Sequence, residues 1–347
     1  MILDQHTVDP VAFARETGWT VKPQGACKGD ACVPLPPGDL DARVLSERLG
    51  MALVEDRGLL ALGPEVVSGR ALTTAQAPDL VLPDLDGTPF ALTSLRGQKV
   101  VLVTWASWCG CRLDLALWQA LRAELHPQGL EVVTIALDSG GAAAARPWIE
   151  LAKPEHPSLV DVAHTVDALL GVVNVPNCLW VDEQGLIVRP AEPGWPGRTP
   201  QIEMMDKDVS ELSADHGEVA AEVRKMNIDP DRYPRMLRDW VARGADSEFV
   251  MTPEEVIAHS LPRGADESRA AAHFELGQHL HAAGDSEGAV EHWRQAHALQ
   301  PTNWTYKRQA WNLADPNSVR EVEGYGSGWL SDVRALGADS YYPAPTR

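Results

Sequence analysis

Two cysteines one residue apart, Cys109 and Cys111 with Gly110 between them, stand where an apolar β-branched run (Val100, Val101, Leu102, Val103) gives way to a helical pattern. A strand that runs into a helix sets Cys109 at the helix N-terminus, where unpaired backbone N–H groups and aligned peptide dipoles favour an anion. For cysteine that anion is the thiolate, the form that attacks disulfides and peroxides. Arg112 adds a formal positive charge beside the pair. A disulfide across one residue closes a tight ring. Departure from preferred disulfide geometry eases reduction, so a relatively oxidising couple is expected. Gly110 is the residue type best able to take the backbone angles this ring needs.

A second pair, Cys27 and Cys32, frames Lys28-Gly29-Asp30-Ala31. With Gly29-Asp30 as a two-residue hairpin turn, Cys27 falls opposite Cys32 in a non-hydrogen-bonded pair, the closer kind, within reach of a disulfide. Three readings stay open: a second redox pair exchanging with Cys109 and Cys111, a structural staple, or half of a metal site. The last has no second ligand pair of suitable spacing nearby. Cys178 reads as a buried inert strand residue or as a participant in exchange. His273, His279, His281, His292 and His297 cluster near the C-terminus. Few of their spacings place two on one helical face, so they read as solvated or packing histidines rather than metal ligands.

The elements that must position these residues follow from patterning. The 347 residues leave room for two or three domains, and 44% hydrophobic with 23% charged residues is ordinary for a soluble globular chain. A net charge of -19 with no basic patch argues against nucleic-acid or anionic-membrane partners. No apolar run reaches transmembrane length, and the first residues lack the features of a signal peptide, so a cytoplasmic setting is expected. Asp9-Pro10 opens a helix that Gly18 ends, and Asp39 or Asp41 opens another that Gly50 ends. Strands are predicted over 51–54 and 59–62, joined at Asp56-Arg57-Gly58. The segment Pro193-Gly194-Trp195-Pro196-Gly197 reads as a linker or as an ordered loop against the site. Helices are predicted over 217–226 and 231–242 and from a capping-box start at Thr252-Pro253-Glu254-Glu255. The tail from Trp329 through Tyr341-Tyr342-Pro343 is expected to fold back, at a place the pattern does not reveal.

Several stretches resemble TlpA/ResA-like thioredoxins, in order and over about a third of the chain. They are Ala77 to Leu82 with Asp86-Gly87 and Phe90 to Gly97, like the opening hairpin, and Leu130 to Ala136, like the strand after the active-site helix. Val175-Pro176 before Leu179 to Asp182 and Gly185 resembles the cis-proline loop and terminal hairpin. Trp105-Ala106-Ser107-Trp108-Cys109-Gly110-Cys111 is similar to a ResA-like group with a WAxxUGC motif, where U is selenocysteine and Cys109 takes the selenium position. No other cofactor is implied. The resemblance implies a thioredoxin fold with Trp105 and Trp108 packed around the cysteines, and a cis Pro176 presenting backbone to an extended substrate. It also gives Asp114, three residues past Cys111, the place of a glutamate that helps move the second thiol's proton; the alternative is a solvated helix carboxylate. The family usually has two residues between its cysteines and a threonine where Asn177 stands. Leu276-Gly277, Ala289, Trp293, Ala296 and Pro301 fall at the offsets of a tetratricopeptide repeat, and a second begins at Asn303-Trp304.

The fold class expected is therefore α/β: a small α/β domain over 1–70 with the Cys27/Cys32 hairpin, a thioredoxin-like domain over 71–192, a linker and helical region over 193–262, and a tetratricopeptide-like all-α region with a tail over 263–347. The leading function is thiol–disulfide oxidoreduction, with Cys109 as nucleophile and Cys111 resolving, on a disulfide-bearing protein and with a thiol electron donor. A competing enzyme is a thiol peroxidase acting on hydroperoxides, since Ala106 to Gly110 also resembles glutathione-peroxidase-like sites. The tryptophan-asparagine-phenylalanine motif of those proteins is missing. The peroxiredoxin pattern also fails at Ala106 and Leu102. A third reading is a redox-sensing adaptor that holds a protein partner, or a second copy, through its helical C-terminal region.

Overall fold

The computed structural model describes residues 1–343 except Asp39, Pro200, Gln201, Met204, Met205, Val209, Ser210, Asn317 and Ser318, and only the backbone of Ala214 and Asp215. Asp39 as a helix start thus lies outside the described residues. The start that is seen is Asp41, whose carboxylate accepts from Arg43 N at 2.8 Å and opens helix α2, Ala42–Leu49. Asp9 plays the same part for α1, Pro10–Thr17, which Gly18 closes with φ 75°. Such side-chain acceptors satisfy backbone donors that the first helical turn leaves unpaired.

Among the described residues the N-terminal part holds two small antiparallel sheets. In one, β2 (Thr20–Lys22), β3 (Gly25–Lys28) and β4 (Ala31–Val33) lie side by side, with Lys28 opposite Ala31 and Cys27 opposite Cys32. The Gly29-Asp30 turn thus sets the register that its residue types predict. The other sheet pairs β1 (Ile2–Leu3), β5 (Leu53–Asp56) and β6 (Leu59–Leu62) in the order β1-β6-β5. The strand predicted over 51–54 therefore lies two residues later. Arg57 and Gly58, with φ 51° and 78°, make a two-residue turn that carries pairing out to Asp56 opposite Leu59. Met51 is instead buried in the N-terminal core.

The central sheet explains the position of the dithiol. Val81–Pro83 (β7) and Pro89–Ala91 (β8) form the opening hairpin, and the strands that follow are β9 (Lys99–Trp105), β10 (Leu130–Leu137), β11 (Ser158–Asp161), β12 (Asn177–Val181) and β13 (Ile187–Glu192). The last five run in the order β11-β10-β9-β12-β13, with β9, β10 and β11 parallel and β12 and β13 antiparallel. Helices α3 (Leu115–Leu125), α4 (Gly141–Ala152) and α5 (Thr165–Leu170) belong to the same unit. This is a thioredoxin-like arrangement. Strand β9 is buried from Val100 to Trp105, as a strand covered on both faces must be. Val100 and Leu102 pack on one side with Leu179 and the Cys109/Cys111 cluster; Val101 and Val103 pack on the other with Trp118, Cys178 and Trp180.

The rest of the chain is helical: α6 (Ala214–Val223), α7 (Arg232–Arg243), α8 (Pro253–His259), α9 (Ala265–Ala282), α10 (Ser286–Leu299), α11 (Trp304–Ala314) and α12 (Trp329–Leu336). Helix α7 covers the second face of the sheet, stacking Trp240 on Trp180 at 4.6 Å. In the α9–α10 pair, Gly277 lies so close to Trp293 that a Cβ there would sit 2.6 Å from the indole nitrogen. The pair shares a core with the β1-β6-β5 sheet through Ala61, and the N-terminal ammonium of Met1 bonds Glu275. None of the helices among the described residues is long and apolar enough to cross a membrane.

Candidate active site

Strand β9 ends at Trp105, and the chain turns so that Cys109 N donates to Ala106 O at 3.1 Å. Cys109 is extended (φ -97°, ψ 143°) and caps a 3-10 turn, Gly110–Asp114, before α3 starts at Leu115. The helical pattern expected to start at the cysteines thus begins as a tighter turn. Its cause is local: the Cys109 sulfur takes the Cys111 N–H at 3.3 Å, as an N-cap oxygen would. On the other side, the Val175 carbonyl lies 3.6 Å from the same sulfur, followed by the cis Val175–Pro176 peptide.

Both sulfurs are free thiols on residues only 4% and 3% exposed. Burial by itself would push the Cys109 thiol up. The hydrogen bond from the Cys111 side chain, the charge of Arg308, the Cys111 N–H and the charge of Arg112 outweigh it and bring Cys109 down to about 6. Burial, the hydrogen bond to Cys109 and its charge hold Cys111 well above the ordinary range. Asp114 is buried rather than solvated, which overturns the alternative of a solvated helix carboxylate. Burial and the Cys109 charge lift it to about 8, with a hydrogen bond to Thr199 pulling the other way, and its Oδ1 has no protein partner. Arg112 curls back to donate to Cys109 O at 2.9 Å and lies 4.5 Å over the Trp148 ring.

Residues far along the chain complete the site. Helix α11 docks on the cis-proline loop, Trp304 N donating to Val173 O at 2.7 Å. One turn on, Arg308 donates to Trp108 O at 2.9 Å and lies 4.8 Å over the Trp108 ring. Gln309 Oε1 accepts from Trp108 Nε1 at 3.1 Å and from Ser139 N at 3.0 Å. Tyr342 donates its hydroxyl to Val175 O at 3.1 Å, and Tyr341 takes Trp329 Nε1 at 3.2 Å. The tail therefore folds back onto the cis-proline loop. The sequence reading missed Arg308, and one signal could have singled it out: Trp304, Arg308 and Trp311 follow the i, i+4, i+7 spacing of one helical face, so a cation stands in an aromatic stripe.

A pocket of about 650 Å³ gathers Trp108, Cys109, Gly110, Cys111, Arg112, Asp114 and Pro176 from the predicted residues, and adds Trp148, Trp195, Thr199, Arg308, Tyr341 and Tyr342. Trp105 is buried in the core below it. Cys27 and Cys32 lie outside it, in the β2-β3-β4 sheet, joined as a disulfide. Cys178 is buried against the opposite face of the sheet, where burial holds its thiol well above the ordinary range. The loop from Pro193 to Pro196 is ordered and buried, with Trp195 in the pocket wall. His273 and His292, on different helices, meet at 2.9 Å, and His292 reaches Asp56 at 3.1 Å.

A free dithiol with unlike thiols, set between the end of a parallel strand and a cis-proline loop, can be compared with known proteins. Residues 73–189 match the AhpC/TSA family model. The chain is also similar to the thiol-disulfide oxidoreductase ResA of Bacillus thuringiensis subsp. konkukian, 23% identical over 115 residues, 33% of this chain and 66% of that protein. The thioredoxin-like protein YneN of Bacillus subtilis is 30% identical over 115 residues, 32% of this chain and 66% of that protein. The chain thus spans just under two thirds of the length of these relatives. Among solved structures, a thiol:disulfide interchange protein DsbE from Chlorobium tepidum is 29% identical over 33% of this chain and 80% of its own, with a TM-score of 0.31. The segment over 73–189 holds Cys109, Cys111, Asp114 and Pro176; Thr199, Arg308, Tyr341 and Tyr342 lie beyond it.

Proposed function

We propose that the protein is a thiol–disulfide oxidoreductase with Cys109 as nucleophile and Cys111 as resolving thiol. The Cys109 thiolate attacks one sulfur of a disulfide; that S–S bond breaks, the leaving thiolate takes a proton, and a mixed disulfide forms. Cys111 gives up its proton and attacks the Cys109 sulfur, which expels the second thiolate and leaves a Cys109–Cys111 disulfide. Two electrons pass to the substrate, and a dithiol donor returns them. The single observation that carries this reading is a pair of free thiols one residue apart at the end of β9, with the Cys109 sulfur taking the Cys111 N–H and facing the cis Val175–Pro176 peptide. Asp114, buried and without a protein partner for Oδ1, is the group suited to take the Cys111 proton. Its place three residues past Cys111 matches the glutamate of TlpA/ResA-like proteins, and the names of the relatives point to the same chemistry.

One observation favours a second reading, hydroperoxide reduction: the half-buried Arg308 guanidinium, in the same pocket wall as the sulfur and lowering its pKa, is a donor for a departing oxygen. There the Cys109 thiolate cleaves the O–O bond, leaving a sulfenic acid and releasing an alcohol after protonation. Cys111 then condenses with it and releases water. Single-turnover oxidation of reduced protein, followed by tryptophan fluorescence, separates the two. We expect disulfides to oxidise Cys109 faster than hydrogen peroxide or an organic hydroperoxide. Cys111→Ser should accumulate a mixed disulfide visible by mass, and Cys109→Ser should not react. Faster oxidation by hydroperoxides, with a sulfenic acid trapped in Cys111→Ser, would overturn the reading.

A further inference from the structure

The walls over the dithiol are built by parts of the chain outside residues 73–189: Trp195 from the loop after β13, Arg308 from α11, and Trp329, Tyr341 and Tyr342 from the C-terminal stretch. They change what can reach the sulfur. The Val175 carbonyl beside Cys109 is already taken by the Tyr342 hydroxyl at 3.1 Å. Tyr342 is itself buried, edge-on to Trp195 at 5.1 Å. An extended polypeptide pairing at that carbonyl must first extract a packed tyrosine. The pocket that remains, about 650 Å³, falls in the range of small-molecule sites.

In a protein of net charge -19, the pocket wall holds two guanidinium groups, Arg112 and Arg308, together with the carboxyls of Asp114 and Asp315. Burial lifts Asp114 to about 8 and keeps it largely neutral at pH 7. Neither guanidinium ion-pairs with a carboxylate among the described residues. Arg112 lies 4.5 Å over the Trp148 ring and Arg308 4.8 Å over the Trp108 ring, each cation on an aromatic face. A half-buried cation without an ion-pair partner is costly, and a bound anion relieves it. Paired N–H donors on a planar cation fit a carboxylate.

Resting on the oxidoreductase reading above, we propose that the substrate is a low-molecular-weight disulfide bearing carboxylate groups, held by Arg112 and Arg308 in the aromatic pocket, rather than the disulfide of a folded protein. The exchange is that given above: Cys109 forms a mixed disulfide with one half of the molecule, the other half leaves as a thiol, and Cys111 releases the first half. The protein becomes the disulfide as the small disulfide becomes two thiols.

The test is single-turnover oxidation of the reduced full-length protein by 3,3′-dithiodipropionate (a dianion), 2-hydroxyethyl disulfide (neutral), cystamine (a dication) and insulin. Each rate is divided by that of the same disulfide with a small free thiolate, which removes differences in leaving group. The expected result is a normalised preference of about tenfold or more for the dianion over the dication, the scale of one charge-assisted hydrogen bond, with insulin slowest. Added salt and Arg112→Gln should both shrink that ratio, and Arg112→Lys should retain part of it. A ratio of one or less, or insulin outrunning the small disulfides, overturns the proposal and leaves the oxidoreductase reading standing. If no disulfide oxidises Cys109 while a hydroperoxide does, both fall.

Discussion

At the scale of the residue, the chemistry rests on how Arg308 finds a negative partner. Burial works against its charge and the Cys109 thiolate favours it, so the guanidinium stays charged in the pocket. The reciprocal effect is the depression of Cys109 to about 6, to which Arg308 contributes more than Arg112. A group whose pKa is lowered is ionised above that value, so Cys109 should react with a small alkylating agent as a thiolate above pH 6. In Arg308→Met the midpoint of that alkylation profile should rise by about one unit or more, and Arg308→Lys should recover part of the shift. An unmoved midpoint in Arg308→Met would show that the guanidinium only packs. Cys109, Gly110 and Cys111 were legible because a strand-to-helix junction is a local pattern. Arg308 was not, because its partner Trp108 is 200 positions away and no spacing rule joins them.

At the scale of the element, turns and caps were read well and interhelical contacts were not. The Gly29-Asp30 turn set the Cys27–Cys32 register. Asp9 and Thr252 cap the helices they were expected to cap, and Asp41, one of two candidates, caps the second helix. The offset of the 53–56 strand came from one turn residue, Arg57, taking a positive φ that an arginine does not advertise. The histidines of α9 and α10 were judged by spacing within a helix, which cannot show that His273 faces His292 across two helices. Their burial has a consequence for stability. Burial lowers His297 to about 3 and His273 to about 4, below the value of about 6.5 expected for the unfolded chain. The unfolded state therefore binds protons first as pH falls, and stability should drop between about pH 6.5 and 4 through His273 and on to about 3 through His297. Urea midpoints measured across that range for wild type and His297→Gln should show a shallower slope in the variant. Equal slopes would mean that His297 plays no part, since every other titrating group is common to both proteins.

At the scale of the whole molecule, the chain wraps the segment over 73–189 with elements from both ends. The sheet and its cis-proline loop were legible in sequence because each strand is a short apolar run between turn residues. The wrapping was not, since Thr199, Trp329 and the tail tyrosines meet the dithiol only after the whole chain has folded. That assembly makes one sulfur matter to distant helices. With no ion-pair partner for Arg308 among the described residues, the thiolate of Cys109 is an anion that stabilises its charge in the pocket. Once Cys109 and Cys111 are joined, that negative charge is gone and the guanidinium remains. Oxidation should therefore loosen the clasp formed by α11 and the C-terminal stretch, by the same linkage through which the clasp tunes the thiol. Limited proteolysis of the two redox forms should cut the oxidised protein faster between Asp315 and Tyr342, with Arg308→Met cut equally in both. Identical digestion of the oxidised and reduced wild type would rule this out. The electrons held at a single dithiol would then be readable from outside, as the lifetime of the protein's own C-terminus in the presence of a protease.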